Sequence, residues 1–110
     1  MDIAELKKAG GILPPEPVKK NGAWKGNTFD YWVVRPGYGQ FERMLREDKT
    51  IKGESYTSQM AQMIALCVRL GKKAEEQLTY EQAFCLDPAL ARVFIEGINE
   101  VNGISADPKT

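Results

Sequence analysis

The chain has 110 residues, of which 43% are hydrophobic and 27% are charged, a balance typical of one folded domain rather than of a disordered chain. Lysine plus arginine equals aspartate plus glutamate, 15 against 15, so there is no overall basic field to attract a polyanion. Because nucleic-acid binding normally depends on such a field, the charge balance argues against a nucleic-acid partner.

Residue types that carry most catalytic chemistry are missing or badly spaced. The chain contains no histidine, which excludes Ser-His and Cys-His catalytic pairs and histidine-ligated zinc. Its two cysteines, Cys67 and Cys85, are too far apart for a metal knuckle or a CxxC redox motif. No phosphate-binding loop, dinucleotide fingerprint or zinc-protease motif occurs. We therefore predict a protein that is not an enzyme and that has no cofactor and no metal.

Targeting signals are also lacking in the sequence. The start, Met1–Glu5, has neither the basic residues nor the apolar run of a signal peptide. The longest apolar stretch, Met63–Val68, is far too short to cross a membrane. We expect a soluble intracellular protein without a membrane partner.

Residues 1–17 are predicted to form a short helix followed by a proline-rich arm. Asp2 is a suitable helix cap, Ile3 and Leu6 lie on one side, and Gly10-Gly11 ends the helix. The next segment, "ILPPEP", excludes helix and favours an extended backbone. Two interpretations stay open: a surface linker, or an arm that docks on a partner protein.

Residues 18–34 are predicted to form a β-hairpin. Phe29, Tyr31 and Val33 alternate with other residues at the period of a strand. Two dipeptides compete for the turn. We favour Gly26-Asn27, because it lets the second strand pair from its beginning, and we assign Asn21-Gly22 to a bulge.

Two helices are predicted in the middle of the chain. From Gly39 onward, Phe41, Met44 and Leu45 have the i, i+3, i+4 spacing of a helical face. The next helix has the longest apolar stripe, and we expect Gly71 and the lysines after it to end that helix. The stripe consists of Met60, Met63, Ile64, Cys67 and Val68.

The last third of the chain carries two helix-start signals. The first is the capping box Thr79-Tyr80-Glu81-Gln82, and the second is Asp87-Pro88, with a cap followed by proline at the first helical position. Asn102-Gly103 ends the final helix. Its apolar stripe consists of Leu90, Phe94, Ile98 and Val101.

Together these signals predict a mostly α fold: a single small domain of about four helices with an N-terminal β-hairpin. We expect the hairpin and helices to occupy residues 18–103 and the polar residues 104–110 to form a flexible C-terminal tail.

Five residues are candidates for binding another protein. Aromatic and arginine side chains dominate interface hot spots, and methionine adapts to varied partners. The competing interpretation is structural: a tryptophan that packs the hairpin, a hinge at the "RPGYG" turn, and methionines in the core. The candidates are Arg35, Tyr38, Trp32, Met60 and Met63.

The order of these elements resembles the tail assembly chaperones of long-tailed bacteriophages. The resemblance rests on a hairpin ending in "FDYWVVRP", helices "FERMLRED" and "MAQMIALCVRL", a capped turn "LTYEQAFCL" and a final helix "LARVFIEGINEVNG". It covers residues 18–103. Many members have an Asp-Gly turn after the middle helix, whereas this chain has Gly71-Lys72-Lys73 and a longer polar loop.

The resemblance implies a protein that binds the phage tape-measure protein, keeps it soluble and promotes polymerisation of the tail tube around it. Such a protein self-associates, works in the host cytoplasm and is absent from the mature virion. In many such phages a programmed frameshift makes a longer form that links to the tail-tube protein. Asp107-Pro108-Lys109 is compatible with a slippery codon run at that place.

An alternative function stays open at this stage. A small helical adaptor would bind one defined protein partner through the proline-rich arm and the aromatic turn. It would form a one-to-one complex, whereas a chaperone places many copies on one client.

Overall fold

The structure is a computed structural model that describes residues 1–13 and 16–103. Its elements, in chain order, are α1 (Ile3–Lys8), β1 (Val18–Trp24), β2 (Asn27–Val33), α2 (Tyr38–Arg46), α3 (Gln59–Cys67), β3 (Val68–Arg69), α4 (Tyr80–Phe84) and α5 (Pro88–Val101).

The predicted hairpin is present, with a turn one residue earlier than expected. β1 and β2 pair without interruption from Val18↔Val33 to Trp24↔Asn27, so the two loop residues are Lys25 and Gly26. Both have positive φ, 50° and 77°, as a tight two-residue hairpin turn requires. The predicted bulge at Asn21-Gly22 is wrong, because both residues keep their partners in the ladder.

One face of the hairpin contributes two buried residues to the core. Tyr31 and Val33 point inward and are buried against α5, where Phe94 meets the Tyr31 ring edge-on at a centroid distance of 5.2 Å. The remaining core residues come from α3, α4, α5 and β3. Helices thus cover one face of the sheet, and the hydrophobic core lies between these two layers.

The prediction of a mostly α fold with the sheet confined to an N-terminal hairpin is wrong. Helix accounts for 43% and strand for 18%, and the described residues form five helices and a three-stranded antiparallel sheet in the order β1-β2-β3. The third strand follows α3 directly: Val68 pairs with Val33, and Arg69 pairs with Trp32.

The reason is that α3 ends at Cys67 instead of continuing to Gly71. The Val34 amide donates to the Cys67 carbonyl at 2.8 Å, and Val68 becomes fully buried beside Val33. The cation at the helix end is Arg69, whose guanidinium donates to the Leu66 carbonyl at 2.9 Å, rather than the predicted lysines. Val68 and Arg69 therefore pair with the edge of β2 instead of forming one more turn of α3.

The predicted helix-start signals are confirmed. The Thr79 hydroxyl accepts from the Gln82 amide, and the Gln82 side chain accepts from the Thr79 amide. Asp87 caps α5 through the Leu90 amide and also accepts from the Trp24 indole at 3.0 Å. This bond from Trp24 is the main cause that holds the pKa of Asp87 below its ordinary value.

Both chain ends behave locally as predicted up to the limit of the described residues. α1 begins after the Asp2 cap and ends at Lys8, just before Gly10. α5 ends at Val101, with Asn102 as its cap and Gly103 next at φ of +72°. The centre of the predicted proline arm, residues 14–15, and the predicted tail 104–110 lie outside the described residues.

Candidate functional site

An apolar groove opens where the start of α2, the middle of α3 and the end of α5 meet. We call this set of residues the apolar groove, and its cavity volume is about 310 Å³. An apolar lining is typical of sites that accept one face of a partner helix. It is lined by Pro36, Tyr38, Phe41, Met63, Ile98 and Asn102.

The α2 side of the groove is set by local sequence. Gly37 is extended, and its amide donates to the Gln40 side chain at 3.0 Å, which fixes the start of the helix at the next residue. Tyr38 therefore stands at the first helical position, where its side chain is 78% exposed. A large aromatic ring at the mouth of the groove is available for contact.

The α3 side of the groove is apolar and uncharged. The Cys67 thiol donates to the Met63 sulfur at 3.5 Å, so the two sulfurs pack together one helical turn apart. Burial raises the pKa of Cys67 to about 11, and Arg69 offsets only part of this rise. The thiol stays protonated at neutral pH and brings no charge to the wall behind Met63.

Further apolar side chains on the same two helices are exposed. Met60 lies one helical turn before Met63 on α3 and is 52% exposed. Leu45 lies on α2 one turn after Phe41 and is 44% exposed. Exposed apolar side chains on the two helices that line the groove make these helices candidates for a binding surface.

The other two predicted site residues lie outside the apolar groove. Trp32 is on the outer face of the sheet, opposite Lys19, whose ammonium lies 6.0 Å from the ring centroid. Arg35 is half-buried before the groove begins, and its Nε atom has no hydrogen-bond partner among the described residues. Of the five predicted site residues, Tyr38 and Met63 line the groove, and Trp32, Arg35 and Met60 do not.

Sequence reasoning missed four groove residues. The sequence assigns Pro36 to a hinge and Phe41 to a helical face. It assigns Ile98 to an apolar helical stripe and Asn102 to a helix end. Phe41 could have been found, because it is one helical turn from Tyr38. Ile98 and Asn102 reach the groove only through the packing of α5 on α3, which no local pattern reports.

A second cavity, of about 280 Å³, lies between α2, α3 and the segment before α4 and has a more polar lining. Gln62 is buried there and donates to the Glu47 carbonyl at 3.1 Å. Arg43, Glu47 and Lys49 supply charges at its wall, so it suits an apolar partner less well than the apolar groove.

The described part of the chain shows neither a cluster of metal ligands nor a helix able to span a membrane. No group of three or more histidine, cysteine, aspartate or glutamate residues in ranges 1–13 and 16–103 is placed to hold a metal ion. Within the same ranges, every helix is too short or too polar to cross a bilayer.

Comparison with known proteins gives one informative match. The family model described as "Phage tail assembly chaperone, TAC" matches residues 4–102, which is most of the chain. No curated protein and no solved structure matches the chain. Because the match spans α1 to α5, the chain belongs to the phage tail assembly chaperone family.

Proposed function

We propose that the protein binds the tape-measure protein of its phage, keeps that protein soluble, and promotes polymerisation of the tail tube around it. It does so in the host cytoplasm and is absent from the mature virion. The role is one of binding rather than catalysis. Membership of the chaperone family supports the general role, and the exposed apolar surface on α2 and α3 supports this choice of client site.

The observation that carries the proposal is the apolar groove lined by Tyr38 and Met63, with the exposed Met60 one helical turn before Met63 on α3. An amphipathic client helix places apolar side chains at i, i+3, i+4 and i+7, and a groove of this kind accepts such a stripe. The Met63 and Met60 side chains adapt to stripes of different sequence, as a chaperone for a long client needs.

Many weak contacts then act together. A single groove holds one short client segment, but copies placed along one long chain raise the total binding strength through multivalency. Because the contact is mainly apolar, binding to each segment will depend weakly on salt and show a negative heat-capacity change. The weak salt dependence and the negative heat-capacity change would distinguish apolar binding from electrostatic binding.

The test is co-expression with the tape-measure protein. The wild-type chain is expected to keep the tape-measure protein in the soluble fraction. Combined substitution Tyr38→Ser and Met60→Ser should weaken binding to a client segment about tenfold or more, because truncating a hot-spot residue costs over about 1 kcal/mol. Both residues are exposed, so the fold is retained.

The matched control is Tyr56→Ser, which removes another exposed tyrosine that packs near Phe84 and does not line the apolar groove. This control should keep wild-type activity. A saturable one-to-one complex that is unaffected by the groove variant would contradict the proposal and favour the adaptor function.

A further inference from the structure

β1 is an edge strand whose outer side has no partner strand in the part of the chain that the structure describes. The direction of its main-chain groups follows from the ladder. Just beyond the two strands, the Val34 amide donates to the Cys67 carbonyl, so even-numbered residues on the β2 side bond toward β3. The odd-numbered residues of β2 then bond to the even-numbered residues of β1. The amides and carbonyls of Lys19, Asn21 and Ala23 therefore point outward, away from the sheet.

These outward groups are complementary to an extended polypeptide. Lys19, Asn21 and Ala23 are exposed, none is proline, and each offers one N–H donor and one C=O acceptor at the spacing of a strand. A helix cannot satisfy such a row, because its own main-chain groups are bonded internally. The edge thus suits a partner that adds one more strand to the sheet.

A cavity of about 450 Å³ lies beside this edge, between β1 and α5. Two glycines make room for it, since Gly22 on β1 and Gly97 on α5 both lie against the Tyr31 ring. Every second side chain of a strand added to β1 would point to this side of the sheet, where Tyr31 and Val93 give the cavity an apolar floor. The cavity is lined by residues 19–23, Tyr31, Val93, Glu96, Gly97 and Glu100.

The wall of the cavity carries a carboxylate that is not neutralised. Lys19 forms a salt bridge with Asp30 at 3.5 Å, and Lys20 forms one with Glu100. Glu96 has no salt-bridge partner among residues 1–13 and 16–103. A lysine or arginine on an added strand can lay its alkyl stem over the apolar floor and place its cation beside Glu96. The charge therefore selects a basic side chain.

We propose that β1 binds an extended segment of another protein by strand addition, with a lysine or arginine of that segment in the cavity beside Glu96. The site shares no residue with the apolar groove. It goes beyond the proposed function, because it requires no helical client.

The test selects peptides of about ten residues from a random library by mRNA display, with the full chain as bait. We expect the selected peptides to share one lysine or arginine, flanked by alternating β-branched or aromatic residues. One selected peptide is then synthesised with a single N-methyl group at each amide in turn. Because alternate amides of an added strand bond to β1, methylation should abolish binding at every second position only.

Two variants locate the bound peptide on the protein. Ala23→Pro removes an outward N–H and no ladder bond to β2, so the dissociation constant should rise about tenfold. Ala23→Ser keeps the amide and should bind like the wild type.

Glu96→Gln tests the charge in the cavity and should weaken binding of the basic peptide about two- to fivefold. Its matched control, Glu81→Gln, removes an exposed carboxylate on α4 that does not line the cavity, and it should have no effect. If Ala23→Pro fails to fold, the methylation pattern and the Glu96 variant decide the question.

Several results would overturn the proposal. They are a library without enriched peptides, enriched peptides without a basic residue, methylation effects without a period of two, and a folded Ala23→Pro that binds as tightly as the wild type. A dimer of the chain that Ala23→Pro dissociates would also overturn it, because a second copy would then occupy the edge. None of these measurements uses the tape-measure protein, so their failure leaves the proposed function intact.

Discussion

Gly97 marks the point at which α5 lies closest to the sheet. A Cβ atom at this position would lie 2.2 Å from the Tyr31 hydroxyl and 3.0 Å from two ring carbons. That hydroxyl also donates to the Val93 carbonyl at 3.3 Å, one turn earlier on α5. Glycine thus allows the helix to pack directly on a buried tyrosine, and burial is the main cause that raises the pKa of Tyr31.

Replacing Gly97→Ala should destabilise the fold. The added methyl group forces Tyr31 or α5 to shift within a packed core, and overpacking of this kind costs about 1–3 kcal/mol. The measurement is the free energy of unfolding from urea titration. Adding Tyr31→Phe removes the nearest atom and should recover part of the loss, as a double-mutant cycle would show.

Gly39→Ala on α2 is the matched control for this change. No atom lies within 4 Å of a Cβ at Gly39, so the same substitution should stabilise the protein by about 0.5–1 kcal/mol through helix propensity. If both variants changed stability alike, close packing at Gly97 would not be the cause.

At the scale of elements, the hairpin turn contains one strained residue, Lys25, whose backbone strain a substitution can relieve. Lys25 adopts φ of 50°, which a lysine side chain disfavours, while its ammonium lies 5.0 Å from the centre of the Trp24 ring. Lys25→Asn should relieve the strain and lose the ring contact, with a net gain of about 0.5 kcal/mol and a rise of about 2–4 °C in the melting temperature.

The control at this position is Lys25→Ala, which loses the contact with Trp24 and keeps the strain. It should melt below the wild type. A lower melting temperature for Lys25→Asn than for the wild type would mean that the ring contact outweighs the backbone strain.

Elements with a local chemical signal were predictable from sequence, and those formed by distant partners were not. The caps at Thr79 and Asp87 depend on side chains within three residues, so their pattern is visible in the chain. β3 has no such pattern, because Val68 continues the helical stripe of α3, and Val68 and Arg69 become a strand only by pairing with β2. The helical period of the sequence is present there, but pairing with β2 decided the conformation of the backbone.

At the scale of the whole molecule, Cys67 lies in the core shared by the sheet, α3 and α5, and it is fully buried. Its folded pKa of about 11 is above the value of about 8.5 for an unfolded cysteine. The unfolded chain therefore loses its proton first as pH rises. The stability contributed by the neutral thiol is complete below about pH 8.5 and is lost progressively toward pH 11.

We predict that the free energy of unfolding falls by about 1.4 kcal/mol per pH unit between about pH 9 and 10 because of this thiol. Urea titrations of Cys67→Ala should show lower stability throughout but a flatter dependence on pH in that window. Cys85→Ala removes an exposed thiol and should keep the wild-type slope. Equal slopes for all three proteins would exclude Cys67 as the cause.

The candidate site, like the fold, could be predicted only in part from the sequence. Tyr38 and Met63 could be nominated from residue type and position, because aromatic turns and methionine stripes recur in binding surfaces. The groove itself could not, since Ile98 and Asn102 lie sixty or more residues from Tyr38 in the sequence. Only the assembled helices show that Trp32 and Arg35 do not line the groove.

The direct junction of α3 and β3 has a mechanical consequence. Cys67 is the last helical residue and Val68 the first extended one, so no loop between them can take up slack. A pull on Met63 along the axis of α3 is transmitted to the backbone hydrogen bonds between β3 and β2. If the proposed client binds at Met63, the sheet would carry tension from it in addition to side-chain packing.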